Sequence, residues 1–374
     1  MKIAIYAIAK DEARFVDRFM ASAADADHIV IGDTGSTDET ALRAKGLGAD
    51  AYPIYISPWR FDLARNAVLA LIPADVDVCV PLDLDEVLEP GWRAEIERVW
   101  EPGRTTRLRY VYDWSGGVVF VQDKIHARHG YRWHHPCHEV VVPDGRTQEI
   151  AATTGKLLMR HLPDATKSRS QYLDLLELAV KEDPTCPRNA FYYGRELVFC
   201  RRPLVAVAAL QRFLAMPEAT WGTERAAAMR MLGRACDALE QRDMALAWYR
   251  RGTAEAPGER EPWVALAKAC YERALWPECF AAARTALALT DRPLVYTSEP
   301  EAWGARPHDL LALAAHHLGL REEALEHGRK ALELAPGDER LRANLTFYEQ
   351  GASATRRVAP PLRSLPARSA EQQA

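Results

Sequence analysis

Hydrophobic and polar residues follow two different patterns along this chain, and the change comes near residue 165. In the first part, short apolar runs of the kind found in buried strands alternate with segments of helical period. The predicted strands are 2–9, 28–33, 51–56 and 76–85, and the predicted helices between them are 11–24, 38–45 and 63–71. This alternation predicts an α/β fold with a parallel sheet, whose ligands bind beyond the carboxyl ends of the strands. Further strands and hairpins are expected from 105 to 160.

After Lys167 the pattern is helical throughout, and it repeats. Small residues recur in pairs of constant spacing: Gly194 and Ala206, Gly233 and Ala245, Ala267 and Cys279, Ala312 and Ala324. The second and third units lie 34 positions apart, which is the period of tetratricopeptide repeats. Residues 338–349 would form a closing cap helix, and 292–304 would be an inserted loop. Four helical hairpins without repeat kinship would give the same stacked solenoid.

These patterns predict three regions. Residues 1–165 form an α/β domain, residues 166–350 form an all-α domain of helical repeats, and 351–374, rich in Ala, Ser, Pro and Arg, form a disordered tail. The chain has no apolar run long enough to span a membrane and no clear secretory signal, so a cytoplasmic protein is expected. The seven cysteines never form CxxC, which predicts reduced thiols rather than a disulfide framework.

The charge differs between the two parts of the chain. Residues 1–165 hold 19 Lys and Arg against 25 Asp and Glu, whereas 166–374 hold 29 against 27. An acidic first part is a poor general surface for nucleic acid, but it suits a site that binds a divalent cation. Nucleic acid is therefore disfavoured as a partner, although arginines of the second part, such as Arg201, Arg202, Arg250 and Arg251, keep it open.

The segment PLDLDEVL (81–88) carries the strongest chemical signal. If the strand continues through it, Asp83 and Asp85 point to the same side, because alternate residues of a strand share a face. Two carboxylates on one face repel each other unless a hard cation such as Mg²⁺ or Mn²⁺ lies between them. A D-x-D pair by itself is weak evidence, since acidic pairs are common on surfaces.

Other polar residues follow the predicted strands and helices. Asp33 ends the second strand and could accept hydrogen bonds from a base or ribose, although GSTDE after it also fits a well-capped helix. Arg65 and Asn66 lie on the helix before the acidic segment, where they could hold a nucleotide or face solvent. The histidines of RWHHPCHEVV (132–141) are too crowded to complete a tetrahedral zinc site without other ligands.

Together these segments resemble a family 2 glycosyltransferase of the GT-A fold, followed by tetratricopeptide repeats. The resemblance rests on IAIYAIAKDEARFVDRF, HIVIGDTGSTDET, SPWRFDLARNAVL and PLDLDEVLEPGW, in the family's order and spacing, and extends over roughly residues 2–350. Asp11 departs from it, because the similar bacterial enzymes have Lys-Asn-Glu where this chain has KDE. Asp has nearly the shape of Asn, so the departure puts little in doubt.

The resemblance implies a UDP-sugar donor and a Mn²⁺ or Mg²⁺ ion. It implies that Asp33 binds the base, that Asp83 binds the ribose side or the metal, and that Asp85 and His161 coordinate the metal. The implied lining of the nucleotide pocket comprises Ala7, Lys10, Glu12, Arg65 and Asn66.

The resemblance also implies a metal-dependent reaction that inverts the anomeric configuration, so that one base suffices to take the proton of the acceptor. Glu139 is the first candidate for this base and His138 the second; the two could instead form a structural polar pair. Trp114 and Trp133 could stack on sugars, although single tryptophans more often serve packing.

The acceptor is left open by the sequence. A peptide or protein held by the repeats is one possibility, with a homodimer through the repeats as another use of that surface. Glycan, lipid-carrier and modified nucleic-acid acceptors are further possibilities. Two functions of other classes also remain: a non-catalytic repeat adaptor with a degenerate transferase domain, and a nucleotidyltransferase. The latter usually needs a glycine-rich phosphate loop, which KDEAR lacks.

Overall fold

The computed structural model describes residues 1–163 and 172–350 and divides them into two compact units. The first unit contains the described residues up to Pro184 together with Leu294–Tyr296, and the second contains the other described residues. The expected boundary at 165 and the expected disordered tail at 351–374 lie outside the described residues. None of the described helices combines the length and apolar character that crossing a membrane requires.

The first unit contains both strands and helices. Its strands are β1 (Ile3–Ala9), β2 (His28–Asp33), β3 (Asp50–Pro53), β4 (Val78–Pro81), β5 (Glu86–Leu88), β6 (Arg107–Asp113), β7 (Val119–Ala127), β8 (Tyr131–His134), β9 (Val140–Pro143) and β10 (Ala151–His161). Its helices are α1 (Ala13–Ser22), α2 (Thr40–Gly46), α3 (Phe61–Leu71), α4 (Trp92–Val99) and α5 (Tyr172–Glu182). The α/β character predicted for this part is confirmed.

An eight-stranded sheet in the order β3-β2-β1-β4-β7-β6-β10-β5 organises the unit, and β8 pairs with β9 separately. The first four strands of that order are mutually parallel, as are β6 and β10, but β7 is antiparallel to both of its neighbours. Strand β5 is also antiparallel to β10. The parallel arrangement expected from the alternating strands and helices is confirmed for β1 to β4, and the hairpins expected between 105 and 160 are found in the pairs β6–β7 and β8–β9.

Strand β1 shows how the pattern fixes both faces of the sheet. Ile3 and Ile5 pack on one side with Phe19 of α1, whereas Ala4 and Tyr6 pack on the other side with residues of α3. Helix α3 approaches β2 closely because Gly32 has no side chain. A Cβ at Gly32 would lie 2.3 Å from Cγ2 of Val68, so no larger residue fits there.

The described part of the second unit consists of helices, which include one short 3-10 helix at Pro300–Trp303. The α-helices are α6 (Pro187–Phe199), α7 (Pro203–Ala215), α8 (Gly222–Ala238), α9 (Arg242–Glu255), α10 (Arg260–Tyr271), α11 (Trp276–Ala288), α12 (Arg306–His317), α13 (Arg321–Leu334) and α14 (Glu339–Gln350). Successive helices pair as hairpins, α6 with α7 through α12 with α13. The predicted region of helical repeats is thus confirmed, and α14 occupies the place of the expected cap helix.

Small residues bring the two helices of each hairpin together. The Cα of Gly233 in α8 lies so close to α9 that a Cβ would meet the Tyr249 ring at 2.5 Å, and Gly194 stands in the same way against Leu210. The second small residue of each predicted pair is also buried, as in Ala245 and Cys279. Close packing of this kind maximises dispersion contacts between helices.

Candidate functional site

Charged residues gather at the carboxyl ends of the parallel strands. Asp33 is the last residue of β2, Lys10 follows β1, and Asp83 follows β4 by two positions. Because β2, β1 and β4 are adjacent and parallel, their carboxyl ends share one edge of the sheet. Open α/β sheets bind ligands at this edge, so it is the candidate functional site of the first unit.

The loops after β1 and β2 are tied to each other by hydrogen bonds. The Asp11 carboxylate accepts hydrogen bonds from the backbone of Thr37, at 2.6 Å, and of Asp38, at 3.3 Å. In return, the backbone N–H of Asp11 donates to Ser36 Oγ at 2.9 Å. Chiefly the Thr37 bond holds the pKa of Asp11 below its ordinary value. Asp11 has a φ of 52°, a region where Asp and Asn are both enriched, which agrees with treating Asp for Asn as a conservative change.

One carboxylate oxygen of Asp33 has no hydrogen-bond partner among the described residues. Its Oδ2 accepts hydrogen bonds from the backbone N–H groups of Gly35 at 3.3 Å and Ser36 at 3.1 Å. Its Oδ1 is buried and has no hydrogen-bond donor among the described residues. A buried acceptor without a donor is costly, and a ligand that supplies an N–H or O–H removes that cost.

Arg65 links two carboxylates that are far apart in sequence. Its Nη2 lies 2.9 Å from Oδ1 of Asp83, its Nε donates to Glu139, and its guanidinium stands 4.9 Å from the centre of the Trp133 ring. The Arg65 side chain is only 5% exposed. Burial alone would lower the pKa of Arg65, but the two carboxylates raise it overall, so the guanidinium stays charged. For the Asp83 carboxylate, burial would raise the pKa, but the charge of Arg65 lowers it overall.

A polar network in the sheet supports this arginine. The amide of Asn66 pairs with the backbone of Trp133 in both directions, at 2.9 and 2.8 Å. The indole N–H of Trp133 donates to the Tyr6 hydroxyl at 2.8 Å, and that hydroxyl lies 2.8 Å from Nε2 of His126. Burial lowers the pKa of His126 to about 4, so the ring is neutral at pH 7. Asn66 therefore fixes β8 in place, and its predicted contact with a nucleotide stays a prediction.

The expected arrangement of Asp83 and Asp85 on one strand was wrong. Strand β4 ends at Pro81, and the chain then turns: the backbone N–H of Glu86 donates to the Asp83 carbonyl at 2.9 Å. The backbone N–H of Asp83 donates to the Glu86 carboxylate at 2.8 Å, and the Tyr112 hydroxyl donates to the same carboxylate. Competition from these side-chain hydrogen bonds ends the strand before the acidic residues, so strand alternation does not apply to them.

Asp85 instead faces His161. Its Oδ2 lies 3.6 Å from His161 Nε2, because β5 pairs with the end of β10 and places His161 opposite Glu86. The His161 ring stacks on Trp114 with centroids 4.4 Å apart, and Nδ1 lies 3.4 Å from the Trp114 carbonyl. Burial would lower the pKa of His161, but the Asp85 carboxylate raises it overall. The Trp114 carbonyl at Nδ1 orients the ring so that Nε2 faces the Asp85 carboxylate, toward which a protonated Nε2 directs its N–H.

The other predicted residues take different positions. Glu139 joins the site through Arg65 and is 9% exposed, while the ring of His138 lies 5.8 Å from that of Tyr172. Glu12 is buried, and its backbone N–H donates to Thr40 Oγ1 at 2.7 Å, whereas Lys10 is exposed at the edge. The side chain of Ala7 is fully buried in the core within β1, so it cannot line a pocket at this edge.

No three or more His, Cys, Asp or Glu side chains come together as a metal-binding group within residues 1–163 and 172–350. At the sheet edge, Asp85 and His161 form a pair of side chains of this kind. The rings of His134 and His135 lie 4.3 Å apart and form another pair.

Sequence reasoning missed two residues that shape the electrostatics of the site, Tyr112 and Lys124. Tyr112 and Asp83 surround the Glu86 carboxyl, and burial and the Asp83 charge raise the pKa of Glu86 to about 7. The charge of Lys124 lowers the pKa values of both Asp83 and Glu86. Lys124 lies where the register between β6 and β7 shifts, between Gln122 and Ile125, so strand alternation in the sequence could not have placed it.

Comparisons with known proteins reach only part of the chain. No protein-family model matches the sequence. Among solved structures, MamA is 17% identical over 49% of this chain and 87% of its own, with a TM-score of 0.35. YrrB, described as a TPR protein with an unusual peptide-binding site, is 17% identical over 47% of this chain and 82% of its own, with a TM-score of 0.36. A thermophilic TPR protein of Thermus thermophilus is 20% identical over 48% of this chain and 90% of its own, with a TM-score of 0.35. Scores this low carry no argument about function.

Proposed function

We propose that the first unit is an inverting glycosyltransferase that takes its sugar from a nucleoside diphosphate donor, such as a UDP-sugar. The observation that carries the proposal is the buried Oδ1 of Asp33, which lacks a donor within the described chain and lies at the ligand-binding edge of the sheet. A pyrimidine base or a ribose presents the N–H or O–H that this oxygen needs.

Arg65 and Asp83 contribute a rigid polar wall to the nucleotide site. The ion pair holds Asp83 in its charged form, and the Asp83 side chain is still 35% exposed. An exposed, charged carboxylate with a fixed orientation is a good acceptor for a ribose hydroxyl. In this assignment Asp83 binds the donor directly, and Arg65 positions it from the buried side.

The residues at the edge also fit a divalent cation that binds together with the donor. Asp85 and His161 face each other at 3.6 Å, and Mg²⁺ commonly takes one or two protein ligands plus the phosphates of its substrate. When bound, such an ion stabilises the negative charge that develops on the leaving diphosphate. Trp114 supports this use, since its carbonyl and its ring hold His161 with Nε2 directed to Asp85.

The proton of the acceptor hydroxyl goes to Glu139 or to His138 in this proposal. Glu139 is nearly buried beside Arg65, which fixes the orientation of its carboxylate. His138, two residues from β9, is the second candidate.

The decisive experiment replaces Asp85 with alanine. We expect Asp85→Ala to lose Mn²⁺-dependent binding of UDP in isothermal titration calorimetry, and to lose metal-dependent donor hydrolysis, while its Tm stays within about 2 °C of the parent protein. The control is Asp75→Ala, which removes an exposed carboxylate that pairs with Lys2 on the surface. Unchanged Mn²⁺-dependent UDP binding in Asp85→Ala would contradict the metal-dependent transfer proposed for this edge of the sheet.

A further inference from the structure

The segment Thr297–Trp303 lies on one face of the helical repeats. It belongs to the inserted loop that interrupts the repeat pattern, and its short 3-10 helix contacts α10 and α12. Helices α8, α10 and α12 are the first helices of successive hairpins and contact one another, so they form a continuous face. In stacked helical repeats such faces are the usual binding surfaces for extended ligands.

Two arginines of α8 bind the carboxylate of Glu299 in this segment. Arg234 Nη2 lies 2.5 Å from Oε2, and Arg230 Nε lies 3.2 Å from Oε1. The Arg230 side chain is only 2% exposed, so it is part of the helical core as well as of the binding face. Burial would raise the pKa of Glu299, but the two arginines lower it overall and keep the carboxylate charged.

A second anchor holds Trp303. Its indole N–H donates to Oε1 of Glu261 at 2.8 Å, and the guanidinium of Arg260 lies 4.1 Å from the centre of its ring. Glu261 is 3% exposed and would be costly to bury without donors. The cation–π contact and the charge-assisted hydrogen bond together favour an aromatic N–H donor at this position.

The same face also binds the backbone of the segment. Arg230 Nη2 donates to the Thr297 carbonyl at 3.0 Å, and the backbone N–H of Glu299 donates to Glu261 at 3.3 Å. Ser298 Oγ donates to the same Glu261 oxygen at 2.9 Å. The face thus binds backbone groups, a carboxylate and an indole of the segment. A protein recognises an extended peptide through groups of the same kind on the peptide.

One donor of the face is still unused. Nη1 of Arg230 is buried and has no hydrogen-bond acceptor in the part of the chain that the structure describes. A buried arginine N–H without an acceptor is costly. A ligand with one more acceptor than the internal segment would satisfy this donor.

We propose that residues 297–303 are an internal ligand of a peptide-binding site formed by Arg230, Arg234, Arg260 and Glu261, and that an acidic peptide with a glutamate and a tryptophan four residues later replaces them. The internal segment has this spacing in Glu299 and Trp303. The site is therefore closed by its own chain until a competing segment arrives. This proposal does not depend on glycosyl transfer.

The competition sets the size of the expected effect. A tethered segment acts at an effective concentration of about 1 mM, so it weakens a free peptide with an intrinsic Kd near 0.1 mM about tenfold. Releasing the internal segment should therefore strengthen the binding of a free peptide by about the same factor.

The test uses the full chain and a fluorescein-labelled peptide with the sequence TSEPEAWG, measured by fluorescence anisotropy. We expect Glu299→Ala and Trp303→Ala, which loosen the internal segment at different anchors, each to bind the peptide about tenfold more tightly than the parent protein. Adding Arg234→Ala should abolish the gain, and a peptide with glutamine in place of its first glutamate should bind weakly to every variant.

Glu301→Ala is the matched control, because Glu301 lies in the same segment but pairs with Arg306, at 2.9 Å. It should bind the peptide as the parent protein does. Circular dichroism melts confirm that each variant is folded. The proposal is overturned if neither loosened variant gains affinity while folded, or if the gain survives Arg234→Ala. Because the readout is peptide binding, this outcome is independent of any transferase result.

Discussion

The two units bury their polar groups in different ways. In the first unit, charged side chains from several strands and helices converge at one edge of a sheet, with Arg65 between Asp83 and Glu139. In the second, small residues such as Gly233 bring the helices of a hairpin together, and the buried Arg230 pairs with the partly exposed Glu299 where the inserted segment meets α8. The first unit leaves the buried Oδ1 of Asp33 without a donor among the described residues, whereas in the second unit Glu299 and Glu261 are bound by groups of the same unit.

This difference predicts which substitutions each unit tolerates. A buried ion network loses stability steeply when one partner is removed, because the remaining charges stay desolvated. A close helix contact loses stability in proportion to the atoms that must move, and neighbouring helices can adjust. Substitutions in the charge network should therefore cost more than substitutions at a helix crossing.

The largest effect is expected from Arg65→Met. The substitution removes the guanidinium that pairs with both Asp83 and Glu139, which should destabilise the first unit by about 3–5 kcal/mol. For a unit of this size that corresponds to a Tm about 10 °C lower in calorimetry.

Arg43→Met is the control for this change, since Arg43 pairs with Asp17 on the surface, with side-chain exposures of 38% and 64%. Such pairs contribute about 0–1 kcal/mol, so its Tm should hardly move. Equal losses in the two variants would contradict the idea that buried charge organises the first unit.

A smaller, pH-dependent effect is expected from Glu86→Gln. The pKa of Glu86 is raised from 4.5 to about 7, so its protonated form adds stability that is complete below pH 4.5 and is lost as the pH rises through 7. Gln keeps the shape without this loss. Between pH 5 and pH 8 the free energy of unfolding of the parent protein should therefore fall relative to that of Glu86→Gln, by at most about 3 kcal/mol. The Tm of the parent protein should fall with it.

The matched substitution is Glu89→Gln, three residues on, where the carboxylate pairs with Arg160 and is 41% exposed. The difference in Tm between this variant and the parent should be the same at both pH values. A pH-independent Glu86→Gln difference would mean that Glu86 titrates normally in the folded unit.

The smallest effect is expected at the helix crossing of the second unit. In Gly233→Ala the new Cβ would overlap the Tyr249 ring, and the required shift should cost about 1–3 kcal/mol. In Gly252→Ala, on the partner helix α9, the Cβ would meet Met229 at 3.6 Å, an ordinary contact. That variant should gain about 0.5–1 kcal/mol, because alanine is the better helix former.

Thermal denaturation of both variants measures whether each substitution raises or lowers the stability. Opposite signs would support close packing at Gly233 as the feature that holds the hairpin, and two losses of equal size would refute it. Neither change should alter UDP binding, since the two glycines lie in the second unit.

Most elements of both units followed from the sequence, because each depends on a local pattern. The apolar run that contains Ile3, Ala4 and Ile5 predicted a buried strand, and the spacing of Gly194, Gly233 and Ala267 predicted the hairpins. The turn at Asp83 could not be predicted in this way. It is stabilised by hydrogen bonds within residues 83–86 and by Tyr112, a residue of another strand.

The sequence by itself determined that strands and helices come first, that paired helices follow, and that acidic residues stand where strands end. Only the tertiary structure decided which of those residues meet: Arg65 with Glu139, and Asp85 with His161. The reason is that periodicity reports the neighbours a residue has within its own element. Partners that are more than seventy positions apart, by contrast, are chosen by the order and direction of strands in the sheet.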